Sequence, residues 1–165
     1  MNNINNPTNI FHSIVKACPD AMASLHGSPQ YPLIRGTLFI YQSANGVYLV
    51  TEVTGLPNAT TACEQPIFAM HIHEGTSCSG NASDPFADAG MHYNPDSCQH
   101  PYHAGDLPPL FSNDGYAWNA VLTNRFIVQE VIGKTVIIHD SVDDFTSQPS
   151  GNSGAKIACG VIRKV

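Results

Sequence analysis

From about residue 20 onward, apolar residues come in short runs rich in β-branched and aromatic side chains, each closed by Gly, Pro, Asn, Asp or Ser. Runs of this kind read as strands rather than helices. They predict strands over Met22–His26, Leu33–Tyr41, Val47–Val53, Ile67–His73, Tyr116–Leu122, around Phe126–Val128, over Thr135–His139 and over Lys156–Ile162. Asn45-Gly46, between the second and third runs, is a strong hairpin signal, and Asn113-Asp114-Gly115 marks another tight turn. Residues 74–115 and 140–155 lack apolar periodicity and are dominated by small and polar residues. Connections of that length inside a compact domain are either disordered or functional. About eight short strands with no long helical pattern give an all-β fold, a sandwich or flattened barrel. Residues 1–19, Asn-rich and then weakly helical through Asn9–Lys16, are expected to form an N-terminal extension with one short helix, leaving 20–165 as the β domain.

At 165 residues the chain has the length of one domain and can bury a core without metal or disulfide staples. Seven Lys and Arg against thirteen Asp and Glu give a net charge of −6. That balance excludes nucleic acid as a partner, because phosphate neutralisation needs clustered cations. No apolar run approaches the ~20 residues of a membrane span, and the first thirty residues lack the long apolar stretch of a secretory leader. These features predict a cytoplasmic protein with no membrane partner. Five cysteines, at 18, 63, 78, 98 and 159, are an odd number, and none lies in a CxxC pair. In a reducing compartment free thiols are the default.

Candidate chemistry comes from the histidines, which outnumber the Lys and Arg residues by eight to seven. Six of the eight, His71, His73, His92, His100, His103 and His139, fall in or beside the two long loops. His71 and His73 are two apart near the end of a predicted strand, so both rings point to one face. His92, His100, His103 and Asp106 together offer three imidazoles and a carboxylate, a closed set of the kind structural zinc takes. Imidazole sets without thiolates suit zinc, copper or nickel, with copper bound most tightly. The residues alone thus predict two neighbouring metal sites on a β scaffold.

Five segments add a resemblance. They are Phe68-Ala69-Met70-His71-Ile72-His73-Glu74, Ala89-Gly90-Met91-His92-Tyr93-Asn94-Pro95, His103-Ala104-Gly105-Asp106-Leu107, Gly133-Lys134-Thr135-Val136-Ile137-Ile138-His139 and Gly151-Asn152-Ser153-Gly154-Ala155-Lys156-Ile157-Ala158-Cys159-Gly160-Val161-Ile162. In this order, across about residues 20–165, the chain resembles the copper–zinc superoxide dismutase family. The resemblance implies a flattened eight-stranded Greek-key barrel, an immunoglobulin-like sandwich with two metal-bearing loops. It implies one copper held by His71, His73, His92 and His139, and one zinc held by His92, His100, His103 and Asp106. His92 then bridges the metals, Asp143 links His71 to His100, and Cys78 pairs with Cys159. Cys18, Cys63 and Cys98 have no family counterpart; the default for all three is a free, partly buried thiol, and a second bridge from Cys98 to Cys63 or Cys18 stays open.

The activity implied is that of an antioxidant oxidoreductase, the dismutation of superoxide anion by copper cycling between Cu(II) and Cu(I), with His92 carrying a proton. Lys156 stands where the family usually has Arg, keeping the positive charge for an anionic substrate but losing the planar fork. His100 and His103 are separated only by Pro101 and Tyr102, and the loop after Asp144 carries no charge through Ser150. Both features resemble a compact bacterial version with weaker long-range steering. A homodimer is one assembly the resemblance allows, although dimer contacts vary across the family. Two other readings fit parts of the pattern: a copper- and zinc-binding β domain for storage or delivery with little turnover, and a zinc hydrolase built on the His-x-His strand. The second leaves His100, His103 and Asp106 without a role.

Overall fold

A computed structural model describes residues 16–59, 61, 63 and 66–165; the expected helical stretch ahead of Lys16 lies outside them. The main sheet is built from β1 (Ala21–Gly27), β2 (Arg35–Ser43), β3 (Gly46–Thr54), β5 (Met70–His73), β7 (Ala117–Thr123), β8 (Thr135–His139) and β9 (Lys156–Val161). Its order is β5-β8-β9-β1-β2-β3-β7, with a two-residue β10 (Arg163–Lys164) also pairing β1. A separate ribbon joins β4 (Ile67–Phe68) to β6 (Leu110–Phe111). Every strand pair is antiparallel. The all-β architecture foreseen from the apolar runs is the one observed.

Alternation decides which face turns inward. Ala21, Ala23 and Leu25 of β1, Leu38 and Ile40 of β2, and Val47, Leu49 and Val53 of β3 are buried in one core. The β2–β3 hairpin turns at Ala44-Asn45, and Gly46, at φ +130°, opens the returning strand. Asp114 and Gly115 are both left-handed, at φ 50° and 80°, and bring Tyr116 back against Asn113. This is the geometry that an Asp-Gly turn favours.

Two elements differ from expectation. The run Ile67–His73 is not one strand: at Ala69 the chain leaves the β4–β6 ribbon and enters the main sheet, so β4 and β5 belong to different sheets. The expected strand around Phe126–Val128 is replaced by one helical turn, α1 (Val128–Val131). Val128 and Val131, three apart, both enter the core, and the Glu130 carboxylate accepts the Ile127 N–H at 2.8 Å. That spacing and cap fit a helical turn, which a short apolar run does not by itself exclude.

The two strands that matter most for function are β5 and β8. Met70 and Ile72 of β5, and Val136 and Ile138 of β8, point into the core. By the same two-residue period His71, His73, Ile137 and His139 share the opposite face. In an exposed sheet that face would meet water. Here the first long loop folds back over it, and Phe86 and Ala89 pack on Ile137 and Cys159 as a second apolar cluster.

Candidate metal centre

The free edge of β5 gathers the loop ligands. Ile72 N–H donates to Gly105 O at 2.9 Å, Tyr93 N–H to Ile72 O at 2.8 Å, and Glu74 N–H to Met91 O at 2.9 Å. Gly105 is needed for this approach, since a Cβ there would lie 2.2 Å from Ile72 O. The pairing sets His92 opposite His73 and Asp106 opposite His71. His71, His73, His92, His100, His103, His139, Asp106 and Asp143 are all buried. Their ligand atoms form two groups, His71/His73/His92/His139 and His92/His100/His103/Asp106, each within 4.8 Å, with His92 in both. The six loop histidines singled out from the sequence therefore all converge. Of the other two, His26 lies exposed on β1 and His12 falls outside the described residues.

Hydrogen bonds to fixed acceptors assign the ring tautomers. His71 Nε2 donates to Asp143 Oδ2 at 2.8 Å and His100 Nε2 to Asp143 Oδ1 at 2.9 Å. His73 Nδ1 donates to Gly90 O at 2.9 Å and His139 Nδ1 to Gly154 O at 3.2 Å. A neutral imidazole has one donor, so each of these four rings turns a lone pair inward. His71 Nδ1, His100 Nδ1 and His92 Nε2 are buried without a hydrogen-bond partner. Such groups cost on the order of 1–3 kcal/mol each unless something binds them. His73 Nε2 and His139 Nε2, both lone pairs by this assignment, face each other at 3.3 Å.

Spacing tests what would fit. Ligands about 2.0–2.1 Å from a tetrahedral zinc stand about 3.3 Å from one another. In the second group His92 Nδ1 is 3.4 Å from His103 Nδ1, and Asp106 Oδ2 is 3.1 Å from His100 Nδ1 and 3.3 Å from His103 Nδ1. These separations match a shared cation. The 2.7 Å between His92 Nδ1 and Asp106 Oδ1 is shorter, a direct hydrogen bond. Three nitrogens and a carboxylate suit zinc, and four imidazoles suit copper.

Electrostatics favour the same occupants. Burial pushes His73 down to about 2 and His139 to about 3, and it also lowers His71 and His103. Burial would raise Asp143, but hydrogen bonds from His71, the Phe145 N–H and His100 outweigh it and hold the carboxyl at about 2. Asp106 is likewise held below the usual carboxylate range against its own burial, chiefly by His92. At neutral pH these four rings are uncharged donors beside two carboxylates.

A pH effect follows for the metal-free protein. His73 and His139 bind protons near pH 6.5 when unfolded but only near 2 and 3 when folded. In that window the unfolded chain holds the extra protons, so stability is full above pH 6.5 and is lost as the pH falls towards 3. Each ring can add about 1.4 kcal/mol per pH unit. Calorimetry of the metal-free protein between about pH 7 and pH 5 should show Tm falling steadily; a flat Tm contradicts the assignment.

Residues that the sequence reading did not single out hold the two loops together. Gln148 accepts the His100 N–H at 3.0 Å and donates to His100 O at 2.7 Å, tying one loop to the other. Gly151, at φ +66°, leaves room for Asp143, since a Cβ there would stand 2.0 Å from Asp143 Oδ1 and 2.7 Å from His100 Nε2. Arg125 reaches across from the β7–β8 connection, and its Nη1 donates to the carbonyls of Pro101 and His103 at 3.1 Å and of Asp106 at 3.3 Å. The local sequence carries no signal for these ties, because the partners are 19 to 48 residues apart. We expect Arg125→Ala to release zinc to a chelator about tenfold faster, the scale typical of groups that support metal ligands. An unchanged release rate removes Arg125 from this role.

Cys78 and Cys159 form a disulfide across 81 residues, with Cα atoms 5.7 Å apart. It anchors the loop that carries Gly90 to β9. Cys18, Cys63 and Cys98 are free, but they are exposed rather than partly buried as expected. Lys156 opens β9 in register with His139, and its Nζ donates to Asp84 Oδ2 at 2.7 Å and to Phe86 O at 3.2 Å. No helix among the described residues is long and apolar enough to cross a membrane.

An antiparallel β scaffold that gathers six buried imidazoles and a carboxylate into two groups sharing one ring defines a metalloprotein with a paired-metal centre. The family model described as copper/zinc superoxide dismutase matches residues 34–162. Among curated relatives, the copper–zinc superoxide dismutase of Actinobacillus pleuropneumoniae is 35% identical over 143 residues, covering 78% of this chain and 72% of its own length. That of Photobacterium leiognathi is 33% identical over 142 residues, covering 78% of each chain. Among solved structures, a doubly substituted SOD-like protein from Bacillus subtilis superposes with a TM-score of 0.69 at 28% identity, covering 85% of this chain and 95% of that one. The chain belongs to the copper/zinc superoxide dismutase family.

Proposed function

We propose that this chain dismutes superoxide, converting two superoxide anions and two protons into dioxygen and hydrogen peroxide. The observation that carries the reading is His92, the one residue common to the two adjoining ligand groups among the described residues. His71 Nδ1, His73 Nε2, His92 Nε2 and His139 Nε2 are the nitrogens that would hold copper. His92 Nδ1, His100 Nδ1, His103 Nδ1 and the Asp106 carboxylate would hold zinc. Bound there, copper supplies reversible one-electron chemistry, and zinc a fixed positive charge that restrains the His92 ring.

The chain's own groups do the rest. Asp143 receives one N–H from a ring of each group, so neither His71 nor His100 can turn without disturbing the other. The carbonyls of Gly90 and Gly154 fix His73 and His139 in the tautomer that presents Nε2. His92 Nε2, which has no hydrogen-bond partner, would carry one of the two protons the reaction consumes. The substrate is an anion and the protein carries −6, so capture needs a local positive potential. We assign that role to Lys156, which stands in register with His139.

A storage or delivery role is not favoured. Such a protein must give its metal up, whereas both ligand groups here are buried and share the Asp143 bridge. A lone-zinc hydrolase leaves the second group idle. Dismutation by protein loaded with one copper and one zinc per chain tests the proposal. A rate well above that of the same concentration of free copper supports it, and a rate equal to free copper overturns it.

A further inference from the structure

Lys156 is the cation in register with His139, yet its ammonium is already engaged. Of its three protons, one is donated to Asp84 Oδ2 at 2.7 Å and another to Phe86 O at 3.2 Å. Asp84 is itself held in place, because its Oδ1 accepts the Phe86 N–H at 2.9 Å. The lysine side chain is 15% exposed and the aspartate 37%, so the pair is only partly screened by water. An arginine has five donors and can serve a carboxylate and a second anion together, whereas a lysine so engaged has one proton left.

We propose that Asp84 is a positioning residue that restrains anion entry, tethering the Lys156 ammonium to the loop beside Cys78 and so limiting its contact with a small anion at the copper group. The ligand class is a small monovalent anion: superoxide if the dismutase reading holds, and any comparable anion as a probe. The proposal rests on that reading for its substrate, but anion binding can be measured without turnover, so the two can fail separately.

The test is azide binding to the copper- and zinc-loaded protein, read from the visible copper spectrum, for the native chain, Asp84→Asn, Lys156→Met and the double variant. In Asp84→Asn the amide oxygen can keep the Phe86 N–H, but its nitrogen then faces the ammonium, donor against donor, and the tether is lost. Azide affinity should rise about three- to tenfold, and the gain should shrink as salt is raised. Lys156→Met should weaken azide binding at least about threefold more in the Asp84→Asn background than in the native one, since fixed charges acting independently give additive effects. Asp84→Glu, which keeps the charge, should bind azide as the native chain does. The proposal is overturned if Asp84→Asn leaves azide affinity unchanged or lowers it, or if the two substitutions are additive. A role limited to stapling the loop also predicts that loss, because either substitution alone would then act alike. Should Asp84→Asn fail to take up both metals, Asp84→Ser is measured in its place against the same two outcomes. Tightened azide binding with no dismutation would leave this inference standing and defeat the proposed function.

Discussion

His92→Ala should abolish dismutation and disturb both metals together. The ring is buried and belongs to both ligand groups, with Nδ1 2.7 Å from Asp106 Oδ1 and 3.4 Å from His103 Nδ1 and Nε2 without a hydrogen-bond partner. Its ring centre lies 3.9 Å from that of His71 and 5.0 Å from that of His73. Truncation removes one member from each group, and among the described residues no other histidine belongs to both. Activity should fall by at least about a hundredfold, since even groups that only support a metal ligand cost ten- to a hundredfold when removed. Zinc content after dialysis should fall, and the copper spectrum should change, in the same variant. His26→Ala, on the exposed face of β1, should do none of this. Loss of activity with zinc content and copper spectrum both intact would show that His92 acts otherwise than as a shared ligand.

Asp143→Ala should be the second most damaging change, although Asp143 is not itself placed as a ligand. Its carboxylate receives His71 Nε2, His100 Nε2 and the Phe145 N–H at 2.7–2.9 Å. Removing it strands two buried imidazole donors, each costing about 1–3 kcal/mol, and leaves the half-buried Phe145 N–H without its acceptor. It also frees His71 and His100 to adopt the tautomer that turns a proton, rather than a lone pair, inward. Zinc affinity should drop about ten- to a hundredfold, measured by competition with a chelator, and the metal-free Tm should fall. Asp143→Asn should not rescue it. The amide nitrogen must face one of the two imidazole N–H groups, so one ring loses its partner whichever way the amide turns. Zinc affinity within twofold of the native value in both variants would contradict the linking role.

Much of the site could be read from the chain because its chemistry is local. His71 and His73 share a face for the same reason any two residues two apart on a strand do, and His100, His103 and Asp106 lie within seven residues of one another. The strands were legible where apolar residues run unbroken between turn signals, as in β2, β3 and β8. Reading failed where tertiary context decides. The break at Ala69 depends on two sheets meeting there, and α1 depends on Val128 and Val131 finding the core together. The Gln148, Arg125 and Asp84 contacts join residues 19 to 72 positions apart, and nothing in their local sequence marks them. Lys156 was legible as a charge in the place of the family's Arg. Its engagement by Asp84 was not, because that pairing exists only once the disulfide loop lies against β9.

In the proposed function one imidazole, His92, belongs to both metal sites. The electron paramagnetic resonance spectrum of the copper, recorded on fully loaded protein and again after selective zinc removal, with metal content measured each time, tests it most directly. Freeing His92 Nδ1 alters the donor strength and orientation of the ring that also binds through Nε2, so the account predicts one copper and one zinc per chain and a copper signal that changes when zinc leaves. A copper signal identical before and after zinc removal, at constant copper content, would contradict it.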